Sequence, residues 1–184
     1  FRFGTSPRQL AGHIVADYLA ANPENWITQA ALDMGVYEDV FLPLLRDFAD
    51  VSLDFAHHDY AKIWPARNIT NTFVPEQDAV DLFQFLGNLR NANISGPAVE
   101  RLDRLLAVSS ELILASGSGS GFPGTRTLAV HFPLLSSTVF PDYHLLGFGE
   151  TGWLEYLNGI RNPVARPFIN VEGGTVADTT AGPY

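Results

Sequence analysis

Strand material is scarce in this chain and helical faces are plentiful. Only two runs read as buried strands: 26–32 (WITQAAL) and 127–132 (TLAVHF), the second closed by Pro133. Both are almost continuously apolar, the pattern of strands covered on both faces. The rest has helical spacing. Thr5-Ser6-Pro7 is a hydroxyl cap followed by proline, after which Leu10, Ile14, Val15, Tyr18 and Leu19 recur up to Asn22-Pro23. Asp33 is placed to cap a helix over 34–51 with Val36, Val40, Leu44, Leu45 and Phe48 on one side. Further helices are expected over 76–90 and 98–115, and a short one carries Trp153, Tyr156, Leu157 and Ile160. Two strands cannot make a sheet that covers so many helices. The expected class is therefore α/β, a sheet flanked by helices on both faces and incomplete without an N-terminal segment. Both strands should lie in that one sheet, covered by the helices beginning near Met34 and Ala98, with Trp153 buried against it.

Between these elements, 52–75 has no clean period and reads as a long structured loop rich in aromatics, His and Asn. The run 116–124 (SGSGSGFPG) reads as a flexible joint. Residues 1–162 are then one portion of a domain, and 163–184, without a period, an extended tail.

Composition narrows the classes of function. Hydrophobic residues make up 46% and charged residues 17% of 184, enough for a core and too apolar for a disordered chain. The net charge is −9, and the basic residues, ten Arg and Lys62, are scattered singly, which argues against a nucleic-acid partner. No run approaches the ~18 consecutive apolar residues of a membrane span. The chain has no cysteine, so disulfides, thiolate metal sites and a cysteine nucleophile are excluded from it. A start at Phe1, without Met or leader, is expected of a processed product or a trimmed piece.

The motifs that could carry chemistry are weak. Gly119-Ser120-Gly121-Phe122-Pro123-Gly124 matches G-x-G-x-x-G, but a dinucleotide loop needs a strand before it and a helix after it, and the sequence predicts the reverse. His57-His58-Asp59, with Asp54 as a third ligand, looks metal-like, yet adjacent histidines on one strand point to opposite sides, so a polar surface loop is the plainer reading and no metal is assigned. His131 and His144 read as satisfied, half-buried histidines. A Ser/His/Asp set could be drawn from Ser116 to Ser120, His131 and any Asp, but among five His and many Ser that match carries no information. The sequons Asn68-Ile69-Thr70 and Asn93-Ile94-Ser95 matter only in a eukaryotic secreted protein.

Three blocks, in order, resemble the clostripain-like cysteine peptidases. In the first, over 6–33, P-x-Q-L-A-x-x-I-V-x-x-Y is followed by I-T-x-A-A-L-D; the second is VDLFQFL over 80–86. The third, over 127–160, is the LAVHFP strand, a proline-broken loop with Tyr143, and the W-x-x-Y-L helix from Trp153. The resemblance implies a caspase-like α/β fold and cleavage after Arg or Lys. It also implies a His and Cys dyad in D-H-G-G-like and D-A-C-like motifs. Neither motif occurs here, so no catalytic residue is assigned to this chain, and both would lie N-terminal to it. The family strand matching 26–33 lies near the cleft, which makes Thr28 and Gln29 the candidate substrate-binding residues. The implied partners are an N-terminal chain or segment of the same protein, as in members that mature by internal cleavage, and a peptide or protein substrate. Calcium is the one cofactor the resemblance allows, and the implied location is secreted or on a bacterial cell surface. The alternative is a non-catalytic binding or structural subunit with a peptidase-like fold.

Overall fold

The computed structural model describes residues 4–73, 78–125 and 128–161. Helix α1 (Pro7–Ala21) opens on a reciprocal cap: the Ser6 hydroxyl accepts from the Gln9 amide at 3.2 Å, and the Gln9 side chain accepts from the Ser6 amide at 2.9 Å. Strand β1 (Thr28–Leu32) ends at Asp33, whose carboxylate accepts from the amides of Gly35 and Val36 and so starts α2 (Met34–Val36). The helix then widens into a π-turn, Tyr37–Phe41, and runs on as α3 (Leu42–Asn68). Pro43 accounts for the widening: its ring cannot donate to, and crowds, the carbonyl four residues back, so the preceding amide of Leu42 bonds to Tyr37 instead.

The helix that the sequence ends near 51 thus continues to Asn68, and the loop expected over 52–75 is corrected to helix for most of its length. Its period was hidden because α3 is covered on several sides and buries polar residues, Ser52, Asp59 and Arg67, among its apolar ones. After β2 (Thr72–Phe73) comes β3 (Ala79–Asp81), then α4 (Leu82–Asn91), capped by Asp81 accepting from the Gln84 amide at 2.8 Å. The helix expected from 76 therefore begins at 82, with a strand in front of it. Helix α5 (Ala98–Leu112) passes directly into β4 (Ile113–Ser118), and β5 (Ala129–His131) follows. Two 3-10 turns, Pro141–Leu145 and Gly147–Thr151, lead to α6 (Trp153–Arg161).

The molecule is α/β, with two small antiparallel sheets among the described residues: β1–β4, and β2–β3–β5. The expectation of one sheet holding both apolar runs, with helices on both faces, is corrected, because 26–32 supplies β1 and 127–132 supplies β5 of the other sheet. Each run has a partner that the sequence disguises. β4 comes out of the Gly/Ser run, pairing Thr28 with Ser118 and Gln29 with Gly117. β3 hides at the head of a helical pattern, pairing Val80 with Val130.

The Gly/Ser joint over 116–124 is likewise corrected to strand and packed turn. The amides of Gly119 and Gly121 donate to Ile27 and Asn25 carbonyls at 2.9 and 2.7 Å, and buried Phe122 meets the Trp26 ring edge-on at 5.4 Å. The glycines serve close approach: a Cβ on Gly119 would lie 2.4 Å from the Asn25 carbonyl oxygen.

The core gathers α3, α4, α5 and α6 around Phe41, Leu45, Phe48, Phe85, Leu102 and Phe132. Trp153 is fully buried, its indole donating to the His131 carbonyl at 3.0 Å and its ring packed on Phe132 and Tyr156. Helix α1 stands apart from this core, on the β1–β4 pair, and buries only Ala11 and Val15. Arg8 ties it down by donating to the carbonyls of Ser110, Ile113 and Leu114.

Candidate functional site

Thr28 and Gln29 open β1, half-buried and opposite Ser118 and Gly117. Among the described residues β1 pairs only with β4, which leaves its other backbone edge without a strand partner among them. The surroundings are apolar and uncovered. Trp26, two residues before the strand, is 66% exposed; Ile14 and Tyr18, one turn apart on α1, are 53% and 40% exposed. All five residues of β1 are only partly buried. An edge of this kind offers alternating amides and carbonyls to an incoming strand, with apolar side chains beside them to exclude water.

A second concavity lies at β5. Leu128 to His131, Tyr37, Phe140, Tyr143, Leu146 and Phe148 line a half-open pocket of about 420 Å³. Its polar groups are neutral. Burial lowers the His131 pKa from its ordinary value, with Asp78 pulling it up and Arg161 pushing it further down. Burial, with Tyr37 close by, raises that of Tyr143, and burial with Glu38 raises that of Tyr37. The Nε2 of His131 accepts from the Phe140 amide at 3.1 Å, which puts the ring proton on Nδ1. Such a pocket suits an apolar side chain or ring and gives no purchase to a charge.

The remaining sequence candidates are not brought together. Ser118 donates to the Phe122 carbonyl and Ser120 to the Asn25 side chain, so neither is engaged by an imidazole, and His131 sits in the other sheet. His57 and His58 belong to α3 rather than to a bent loop, and their side chains lie outside the described residues. Asp59 points inward to Lys62 and Ser95, and Asp54 is exposed. Among the described residues no three His, Asp or Glu side chains are grouped to hold a metal ion. The G-x-G-x-x-G run does follow a strand, β4, against the sequence reading, but turns and a strand come after it and no helix opens there.

Sequence reasoning missed the inward-facing roles of Asp59 and Arg67, whereas His131 is the satisfied, half-buried histidine that the sequence reading expects. Asp59 collects bonds from the Ser95 amide and hydroxyl and from Lys62, Arg67 donates twice to the Phe132 carbonyl, and His131 holds the Phe140 amide. Asp59 and Arg67 find their partners 36 and 65 residues away, beyond the reach of any local pattern. Among the described residues no helix is long and apolar enough to cross a membrane. No protein-family model, curated protein or solved structure matches the chain.

Proposed function

We propose that this chain is the C-terminal portion of a clostripain-like cysteine endopeptidase that cuts after Arg or Lys, and that it supplies scaffold and one wall of the substrate cleft. The observation that carries the reading is the unfinished β1–β4 pair. Among the described residues, two strands with one edge unpaired, partly buried and flanked by exposed Trp26, Ile14 and Tyr18, are a poor end state for a folded protein. An N-terminal segment laying further strands on the free edge of β1 would complete a caspase-like sheet and cover that apolar surface. β1 is also the strand on which the sequence resemblance places the cleft, so Thr28 and Gln29 would face a bound peptide.

In this reading the N-terminal segment brings the thiolate, the imidazole and the oxyanion donors, because this chain contains no cysteine. The chain itself holds the peptide backbone and the sheet that positions the dyad. Such a peptidase would act outside a bacterial cell or on its surface.

The test is made on the protein as isolated from its source. Intact mass analysis should find a cysteine-bearing N-terminal segment with this chain, and the preparation should cleave Arg- and Lys-containing peptides until a thiol alkylator is added. A native protein with no such segment, or cleavage that survives alkylation, overturns the proposal. The first of those outcomes leaves a non-catalytic binding subunit of peptidase-like fold.

A further inference from the structure

The segment from Phe132 to Leu146 lies over the apolar pocket as a strap, and it is fastened unevenly. Its first half is held by two cations: Arg67 donates twice to the Phe132 carbonyl at 3.1 and 2.9 Å, and Arg161 donates to the carbonyls of Leu134, Leu135 and Ser137. Neither arginine loses its charge at any ordinary pH. Its second half carries Phe140, 59% exposed, and Tyr143, which is buried against the pocket. From β5 this half is gripped by the bond from the Phe140 amide to Nε2 of His131, and the His131 ring lies 5.3 Å from that of Tyr143.

We propose that His131 is a pH-operated latch: neutral, it holds the second half of the strap over the apolar pocket, and protonated, it releases Phe140 and opens the pocket. The reason is donor arithmetic. A neutral imidazole with its proton on Nδ1 accepts at Nε2, whereas an imidazolium donates at both nitrogens and would turn an N–H toward the Phe140 N–H. The bond is then replaced by a clash of two donors, and the freed amide must find water.

The charged and titratable groups around the ring do not cancel this. Asp78, ahead of β3, favours the imidazolium, while Arg161 from α6 opposes it and burial opposes it further. Arg67 from α3 is committed to the next residue's carbonyl. Tyr143 on the strap and Tyr37 on the π-turn stay neutral through this range, since both pKa values are raised. Asp142 and His144 share the 3-10 turn with Tyr143, and Glu38 adjoins Tyr37. The sign follows: a histidine pKa lowered in the fold contributes stability that is present above its ordinary value of ~6.5 and lost as the pH falls through the lower folded value. The latch is therefore closed at neutral pH and opens in weak acid, whatever chemistry the protein performs.

The experiment is hydrogen exchange of residues 138–146 in the full protein, normalised to the intrinsic rate at each pH. Wild-type protection should fall at least tenfold from about pH 7.5 to about pH 5, while residues 132–137, held by arginine, keep theirs. His131→Gln offers a carbonyl acceptor that does not titrate, and its protection should stay within about twofold across the same range. Wild-type protection that does not change with pH, or a His131→Gln variant that loses it in acid as the wild type does, overturns the proposal. Should that variant fail to fold, the nitrogen-15 shift of His131 Nε2 in the wild type decides: it must move in step with Phe140 exchange, and independent titrations sink the latch.

Discussion

Asp59 shows how a residue's meaning depends on what the fold brings to it. In the sequence it stands beside two histidines and invites a metal. In the fold it is 4% exposed and accepts from the Ser95 amide, the Ser95 hydroxyl and Lys62, pinning the turn before α5 to the middle of α3. Lys62 keeps a third of its side chain in solvent, so the ion pair adds little. The cost of losing Asp59 lies in stranding the Ser95 donors. Asp59→Ala should destabilise by about 2–3 kcal/mol in urea unfolding, and Lys62→Ala by less than about 1 kcal/mol. The buried aromatic pair on α6 gives the opposite contrast. The Tyr156 hydroxyl is buried without a hydrogen-bond partner among the described residues, whereas the neighbouring Trp153 indole donates to the His131 carbonyl. Tyr156→Phe should leave the unfolding midpoint within about 0.5 kcal/mol of wild type or raise it, because it removes an unpaid desolvation. Trp153→Phe should cost about 1–3 kcal/mol by leaving a buried carbonyl unpaired. No sequence pattern separates these two aromatics, since both sit on the same apolar face of one short helix.

At the level of elements, the reading fails where one residue type serves two physical purposes. Glycine in 116–124 looked like freedom of motion, yet Gly119 and Gly121 are there because the Asn25 backbone passes too close for a Cβ. Gly119→Ala should therefore cost more than about 2 kcal/mol, since backbone must move to admit the methyl. Gly12, in the interior of α1 with open space around it, should behave oppositely: Gly12→Ala should stabilise by about 0.5–1 kcal/mol through helix propensity and lost unfolded-state entropy. Thermal unfolding of both variants checks the pair, and equal effects would mean that the turn at 119 is loose after all. What was legible follows the same logic. The starts of α1 and α2 were plain because Ser6 and Asp33 act on amides two or three residues away. The length of α3 and the existence of β3 and β4 were not, because those depend on partners far along the chain. Of the candidate site, the sequence placed Thr28 and Gln29 on a strand and did not reveal that the strand pairs on one side only among the described residues.

On the scale of the whole molecule, burial is unevenly distributed. The four longer helices after β1 share a dense aromatic core with the β2–β3–β5 sheet, while α1 and β1–β4 form a thin layer with Ile14, Tyr18 and Trp26 turned outward. Helix α1 carries apolar residues on more than one side and buries only one of them, which is the pattern of a helix meant to be covered twice. The high negative charge slows association but does not protect an edge whose own residues, Thr28 to Leu32, are uncharged. The chain expressed by itself should therefore self-associate through β1, eluting from size exclusion above monomer mass in a concentration-dependent way, with fast hydrogen exchange across 28–32 at dilutions where it is monomeric. Arg or Glu placed at Trp26 should reduce that association while leaving the unfolding of the helical core unchanged, because the Trp26 ring packs on Phe122 and neither belongs to the hydrophobic core of the helices. Supplying the proposed N-terminal segment should do more, giving a monomeric complex in which the amides of β1 exchange at least tenfold more slowly. A chain that stays monomeric alone and already protects 28–32 would mean that the β1–β4 pair is a finished structure, and the peptidase reading would lose the observation that supports it.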